Sequence, residues 1–298
     1  MNDIKENIKR QYNAGGMYLK LLFINIAIFL VIGITGQILI LMNSTDVYLN
    51  ILEYTSLNTA WEKALLRPWT WITSIFLHYS FRHIFSNMVT LYLFGQIIHQ
   101  FLGSKKTLSI YVVGGLIGCL LQVVAKHSFP LFEGMPDYSI VGASGGVIAL
   151  GVAAATYKPN YILNLFGILK LKLWILVGIL VALDFVSIAD SYGVAHFAHI
   201  GGALFGFFTI RLLQQGKDIT KWFDRWMVKL QNLLKRKPRS KMSVEYSKSR
   251  GEKPPRNDYD YNESKVEKQA KVDAILDKIK YKGYDGLSKA EKDYLSRQ

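Results

Sequence analysis

A chain of 298 residues, half of them hydrophobic, carries 36 Lys and Arg against 22 Asp and Glu and a single cysteine, for a net charge of +14. Lone Cys119 excludes a disulfide framework within the chain and a thiol-rich metal centre. From Gly216 onward there are 22 Lys and Arg against 13 Asp and Glu, so +9 of the +14 lies in the tail, which argues for attraction to anionic lipid and against nucleic acid as the partner.

Met1 to Gln11 is mixed in charge, and the apolar stretch that follows is about 25 residues long. That is too long for a signal-peptide core, so it reads as a retained first span. A helix needs about 20 mostly apolar residues to cross a bilayer. Six stretches qualify: 18–42, 81–101, 107–125, 139–157, 171–188 and 194–214. The expected fold is therefore all-α, a polytopic six-helix bundle over residues 1–214. Residues 43–80 mix Trp61, Trp69, Trp71, Tyr54 and Phe76 with polar residues, as a segment lying in the membrane interface would. Residues 159–170 read as a short interfacial stretch or the start of the fifth span.

Lys5, Lys9, Arg10, Lys20, Lys105, Lys106, Lys158, Lys170 and Lys172 fall on one side of this arrangement. Lys63, Arg67, Lys126 and Arg82 fall on the other, among the acidic Glu53, Glu62, Glu133, Asp137 and Asp190. The positive-inside rule then makes both termini cytoplasmic, and the membrane is expected to be a bacterial inner membrane. Residues 215–234 repeat Trp222, Phe223, Trp226, Met227, Leu230, Leu233 and Leu234 at helical spacing and predict an amphipathic helix on the inner surface. Residues 235–267 have the composition of a flexible basic linker. In 268–298, Val272, Ile275, Leu276 and Ile279 form one stripe ended by Gly283, and Ser288 with Glu291 forms a capping box. This small helical hairpin is read as an interaction element that docks on another protein or on the core.

Gly142-Ala143-Ser144-Gly145-Gly146 is literally a G-x-S-x-G string. The soluble hydrolase elbow of that pattern needs a strand before the serine, whereas this string is embedded in an apolar helix. Small residues in a span ordinarily serve close packing. The histidines add chemistry. In the sixth span His199, Gly202 and Gly206 share a face, an imidazole above two flat spots on which the small face of the fourth helix can rest. In the second span His83 and Asn87 share a face and are suitable donors to an oxyanion. Each could instead be an interhelical hydrogen-bond partner. Depth favours function: Ser144 and His199 each lie about five residues into their helices, and His83 and Asn87 between about two and six. All four then sit within about 10 Å of the same boundary. His196, one turn before His199, is the rival base but lacks the glycine track. His78 reads as a loop-to-helix hydrogen-bonding residue.

On Gly142-x-Ser144-Gly145, Ala198-His199-x-x-Gly202-x-x-x-Gly206 and His83-x-x-x-Asn87, the chain resembles the rhomboid intramembrane proteases over residues 18–214. The resemblance implies a Ser144–His199 dyad with no aspartate, Ser144 as nucleophile and His199 as general base. It also implies an oxyanion site from Asn87, His83 and the Ser144 backbone N–H, with Gly142, Gly145, Gly202 and Gly206 as packing residues. The first loop is then membrane-embedded. The substrates that the resemblance implies are single-span or polytopic membrane proteins whose helices enter near the fifth span and are cut near the outer face. No metal and no cofactor are expected. Two positions depart from the family pattern: Ile148 stands where many members have a tyrosine stacked on the histidine, and a common Trp-Arg pair reads Trp69-Thr70, with Arg67 two residues earlier. The competing readings are an inactive relative that binds membrane helices and, more distantly, a transporter. An inactive relative should lack Ser144 or His199, and a transporter should have polar groups at the midplane and on both sides of it.

Overall fold

The computed structural model describes residues 15–165, 169–188, 195–234 and 258–295. They belong to two compact units, Met1–Arg236 and Lys237–Gln298.

The first unit opens with α1 (Met17–Leu41), which at about 1.5 Å per residue is long enough to cross a bilayer core. Its polar residue Asn25 is fully buried and donates to the Tyr111 hydroxyl at 3.1 Å, which in turn donates to the Ile75 carbonyl at 3.0 Å. A polar group in an apolar bundle is tolerated when it is satisfied in this way.

The aromatic segment that follows is built from α2 (Thr45–Thr55), β1 (Leu57–Asn58), α3 (Trp61–Leu66), α4 (Thr70–Thr73) and a 3₁₀ turn at Ser74–Phe76. Its indoles act as fasteners: Trp69 Nε1 donates to the Tyr54 carbonyl at 2.8 Å and Trp71 Nε1 to that of Ala64 at 3.0 Å. Arg67 lies 3.1 Å from Glu53 Oε1 with its guanidinium 4.0 Å from the centre of the Tyr54 ring. Arg67 therefore ties down a loop whose Trp69 is followed by threonine.

Helix α5 (Phe81–Ser128) is 48 residues long and breaks at Gly103, where φ is 79° and ψ 175°. That conformation is essentially restricted to glycine and splits the helix into two arms, 81–102 and 104–128. Ser80 caps the first arm by accepting from the His83 N–H. Next comes β2 (Ser139–Ile140), antiparallel to β1 with Leu57 opposite Ile140 and Asn58 opposite Ser139. Helix α6 (Ser144–Tyr157) begins five residues later than the expected span of 139–157. Ser139 and Ile140 are committed to the β1 pairing, and Gly142 at φ 128° cannot be helical, so Ser144 is the first residue of its helix and not about the fifth.

Residues 159–170 also depart from expectation. Strands β3 (Ile162–Leu165) and β4 (Leu169–Lys172) form an antiparallel hairpin, so the molecule is mostly but not purely helical. The reason is legible in Leu169-Lys-Leu-Lys172, which alternates with the period of a strand. Helices α7 (Leu173–Val186), α8 (His196–Gln214) and α9 (Lys221–Leu234) complete the unit; Asp190 lies outside the described residues.

Among the described residues, α1, α5 and α8 are long and apolar enough to cross a membrane, while α6 and α7 are shorter apolar helices of 14 residues each. Helix α6 is the centre of the packing, against both arms of α5 and against α8. A Cβ added to Gly202 would lie 2.1 Å from the Gly145 carbonyl oxygen, and one at Gly206 2.2 Å from that of Ala149. The α6–α8 contact is thus backbone against backbone, the close approach that small residues permit in membranes.

Helix α9 buries Phe223 and leaves Trp222, Trp226 and Leu233 exposed. It is fastened to the turn after Gly103 by Lys106, whose Nζ is 2.6 Å from both Asp218 Oδ2 and Asp224 Oδ2 and 2.7 Å from Thr220 Oγ1.

In the second unit, α10 (Asp258–Lys282) starts inside the stretch read as linker, ten residues before the expected 268. Asp258, Asp260 and Glu263 near its start favour a helix N-terminus, so low apolar content there did not mean absence of helix. Residues 235–257 lie outside the described residues. Gly283, at φ 70°, ends α10. Ser288 caps α11 (Lys289–Leu295): its N–H donates to Glu291 Oε2 at 2.8 Å while the Glu291 N–H donates to Ser288 Oγ at 3.4 Å.

Candidate active site

A cavity of about 500 Å³ is lined by side chains from α5, α6, α7 and α8, among them His83, Asn87, Ser144, Ile148, Asp184 and His199. Each element delivers its group from one end. Ser144 is the first residue of α6, His199 the fourth of α8, and His83 and Asn87 the third and seventh of α5. At about 1.5 Å per residue the four lie within roughly 10 Å of their helix starts, the common level that the sequence implies.

Within the cavity His199 Nε2 is 2.7 Å from Ser144 Oγ. The glycine track makes this distance possible, since Gly202 lies one turn below His199 on the face that touches Gly145. The residues just ahead of the serine are pinned as well. The Gly142 N–H donates to the Ser74 carbonyl at 2.9 Å, and the Ala143 N–H to His78 Nε2 at 3.4 Å. That bond gives buried His78 the loop-to-helix part expected of it. The start of α8 is held by Gln122 on the second arm of α5, which accepts from the Ala198 N–H at 3.2 Å and donates to the Tyr138 hydroxyl at 2.7 Å.

The oxyanion candidates are placed less directly. Asn87 is buried and donates from Nδ2 to the His83 carbonyl at 2.9 Å, a bond that uses one of its two amide hydrogens. His83 lies against Gly142, where an added Cβ would come within 2.8 Å of its Nε2. Both line the cavity with Ser144. As the first helical residue, Ser144 has no carbonyl one turn back to receive its own N–H, and the helix dipole favours negative charge there.

One group at the site was not among the sequence candidates. The resemblance implies a dyad with no aspartate, yet Asp184, in the last turn of α7, places Oδ1 2.6 Å from His199 Nδ1. The same oxygen is 2.8 Å from His196 Nδ1. His196 therefore faces Asp184, and the histidine that touches Ser144 is His199. The signal was available: Asp184 is the single acidic residue in the apolar run 171–188, and an ionisable side chain in a span is a functional candidate by default. Gln122, buried in its own span, gave the same kind of signal. Asp184, His196 and His199 bring their ligand atoms within 4.8 Å of one another, as a metal site would require. Those atoms are already joined by the hydrogen bonds above, which satisfy the donors without a cation.

Residues 66–216, about half of the chain, match the family model described as the Rhomboid domain. Residues 257–297 match a second model, described as a family of unknown function (DUF6576). The chain is similar to the mitochondrial presenilin-associated rhomboid-like protein A of Danio rerio, with 33% identity over 138 residues, 45% of this chain and 35% of that protein. It is 31% identical over 145 residues to the mitochondrial RHOMBOID-like protein 12 of Arabidopsis thaliana, covering 45% of this chain and 43% of the relative. With the mitochondrial presenilin-associated rhomboid-like protein of Bos taurus the identity is 28% over 166 residues, 54% of this chain and 41% of the other. The chain thus spans less than half the length of these curated relatives.

Proposed function

Because the chain belongs to the rhomboid family, we propose that it is an intramembrane serine endopeptidase, cutting the transmembrane segments of other membrane proteins near the outer face. The observation that carries the reading is the 2.7 Å separation of Ser144 Oγ and His199 Nε2, at one level with His83 and Asn87 in one cavity. Ser144 Oγ attacks the scissile carbonyl as His199 Nε2 takes its proton. The oxyanion that forms is met by the Ser144 N–H at the start of α6 and by donors from Asn87 and His83. His199 returns the proton to the leaving amine, and water, activated by the same imidazole, releases the acyl group.

In this reading the chain crosses the membrane six times, through α1, the two arms of α5, α6, α7 and α8. Helices α6 and α7, 14 residues each, reach about 21 Å and fall short of a core about 30 Å thick. Extended backbone at membrane depth is tolerated where protein buries it or where it lines a cavity. Ser139 and Ile140, paired to β1 and lining the cavity, meet that condition. The aromatic segment 43–80 lies embedded in the same layer. The lysine-rich flanks support placing both termini on the cytoplasmic side of a bacterial inner membrane, with α9 on its surface and the α10–α11 hairpin as a contact for another protein.

The test is cleavage of a single-span model substrate in liposomes together with labelling by a fluorophosphonate. Ser144→Ala and His199→Ala should each abolish cleavage, and Ser144→Ala should abolish labelling. Undiminished labelling of Ser144→Ala would remove the nucleophile from the mechanism.

A further inference from the structure

Asp184 is an expensive residue where it stands. It is the one acid of α7, it is largely buried, and it sits at a helix C-terminus, where the backbone dipole disfavours a negative charge. What offsets this is the start of α8. The N-terminal turn of that helix lies beside the carboxylate, and two imidazoles of that turn point Nδ1 at the same oxygen, His199 at 2.6 Å and His196 at 2.8 Å.

The chemistry of this arrangement is constrained. An ionised carboxylate only accepts, so both Nδ1 atoms must carry the hydrogen. For His199 that fixes the tautomer: with the proton on Nδ1, Nε2 presents its lone pair to the Ser144 O–H at 2.7 Å. When Nε2 takes the serine proton, an imidazolium forms on a largely buried side chain, and Asp184 is the counter-charge already in contact with it. His196 does not compete for the serine. Its Nε2 is buried with no partner among the described residues, and its Nδ1–H holds the same carboxylate oxygen that His199 contacts.

We propose that Asp184 is the positioning residue of the reaction, so that the protein works as a Ser144–His199–Asp184 triad, with His196 as the prop that holds Asp184 in line. The proposal rests on the serine-protease reading above. In the step it assists, the Ser144 O–H bond breaks as Oγ bonds to the scissile carbon, the proton passes to His199 Nε2, and the carbonyl π pair moves to the oxyanion. Asp184 keeps its charge throughout and takes no proton.

The experiment compares wild type, Ser144→Ala and Asp184→Asn on one single-span substrate in liposomes. Asparagine keeps the size of aspartate and can still bridge α7 and α8, but its amide can donate to Nδ1 and so favour the tautomer in which Nε2 no longer accepts from serine. We expect kcat to fall by about 100-fold or more, with KM within about threefold of wild type. A merely structural tie would leave kcat within about threefold, and that result overturns the proposal. If Ser144→Ala also cleaves, the protease reading has failed; if Ser144→Ala is inactive and Asp184→Asn is near wild type, only the part given to Asp184 has failed. A measurement on the wild-type protein covers the case in which Asp184→Asn does not fold. Nitrogen-15 spectra of labelled histidine should give His199 and His196 as Nδ1–H tautomers in the resting protein, and finding the His199 proton on Nε2 overturns the proposal equally.

Discussion

Replacing Gly202 by alanine adds one methyl group at the tightest point between α6 and α8. The new Cβ would stand 2.1 Å from the Gly145 carbonyl oxygen, whereas ordinary contact begins at 3.4 Å. Backbone faces backbone there, so no side chain can rotate away, and the helices must separate by more than 1 Å. Ser144 immediately precedes Gly145, and His199 lies one turn from Gly202, so the separation acts directly on their 2.7 Å hydrogen bond. Misplacing reacting groups by about 1 Å can cost on the order of 100-fold in rate, and overpacking adds about 1–3 kcal/mol of instability. The expected outcome is a kcat lower by about two orders of magnitude, with the fluorophosphonate labelling rate falling in parallel and KM changing little. Gly178→Ala on α7, where an added Cβ meets nothing within 4 Å, is the control and should behave as wild type. A Gly202→Ala protein with kcat within threefold of wild type would refute the claim that this contact sets the geometry of the site.

Lys106→Met should loosen α9 by about 1–3 kcal/mol, since it leaves Asp218 and Asp224 partly buried without their cation. Faster amide exchange over 221–234 is the readout, and Asp218→Asn with Asp224→Asn should restore part of the protection. Burial alone would raise the Asp218 carboxyl, but hydrogen bonds from Lys106 and Thr220 outweigh it and hold it below the ordinary value, so this docking should also weaken in acid. In the second unit, hydrogen bonds from Lys278 and from Ser288 lower the Glu291 carboxyl from 4.5 to about 2. A depressed carboxyl stabilises the fold above its unfolded value and loses that effect as pH falls through its folded value. The helicity of a peptide spanning 257–298 should therefore decline between about pH 4.5 and 2, and Glu291→Gln should remove that component.

How much of this was legible in the sequence depended on which force set each feature. Long apolar runs and the glycine track are dictated by the bilayer and by close packing, and both are written locally. The pairing of Ser144 with His199 could be inferred because helix periodicity carries each group to a known face and depth. What was hidden was set by partners remote in sequence. Ser139 and Ile140 are extended because β1, some eighty residues earlier, pairs with them. The β3–β4 hairpin was hidden differently: its alternation was visible but was overshadowed by hydropathy. Asp184 was missed because it stands one residue before Phe185 at the end of a span, where a charge looks like a helix reaching water. Only the fold shows that it turns toward two histidines.

Helix α7 is unevenly secured. Its buried residues, Leu173 and Val177, both lie in its first half, while Leu183, Phe185 and Val186 near its far end are 60–73% exposed. Among the described residues, what ties that far end to α8 by polar contact is Asp184 alone. The helix is in effect a lever hinged at its start and latched at its far end, and the latch is the same carboxylate that contacts His199. Swinging the lever outward would part Asp184 from His199, and closing it again would restore their hydrogen bond. On the proposed protease reading, admission and cutting become alternating states of one hydrogen bond, and a helix that enters the bundle without letting it close is held but left intact.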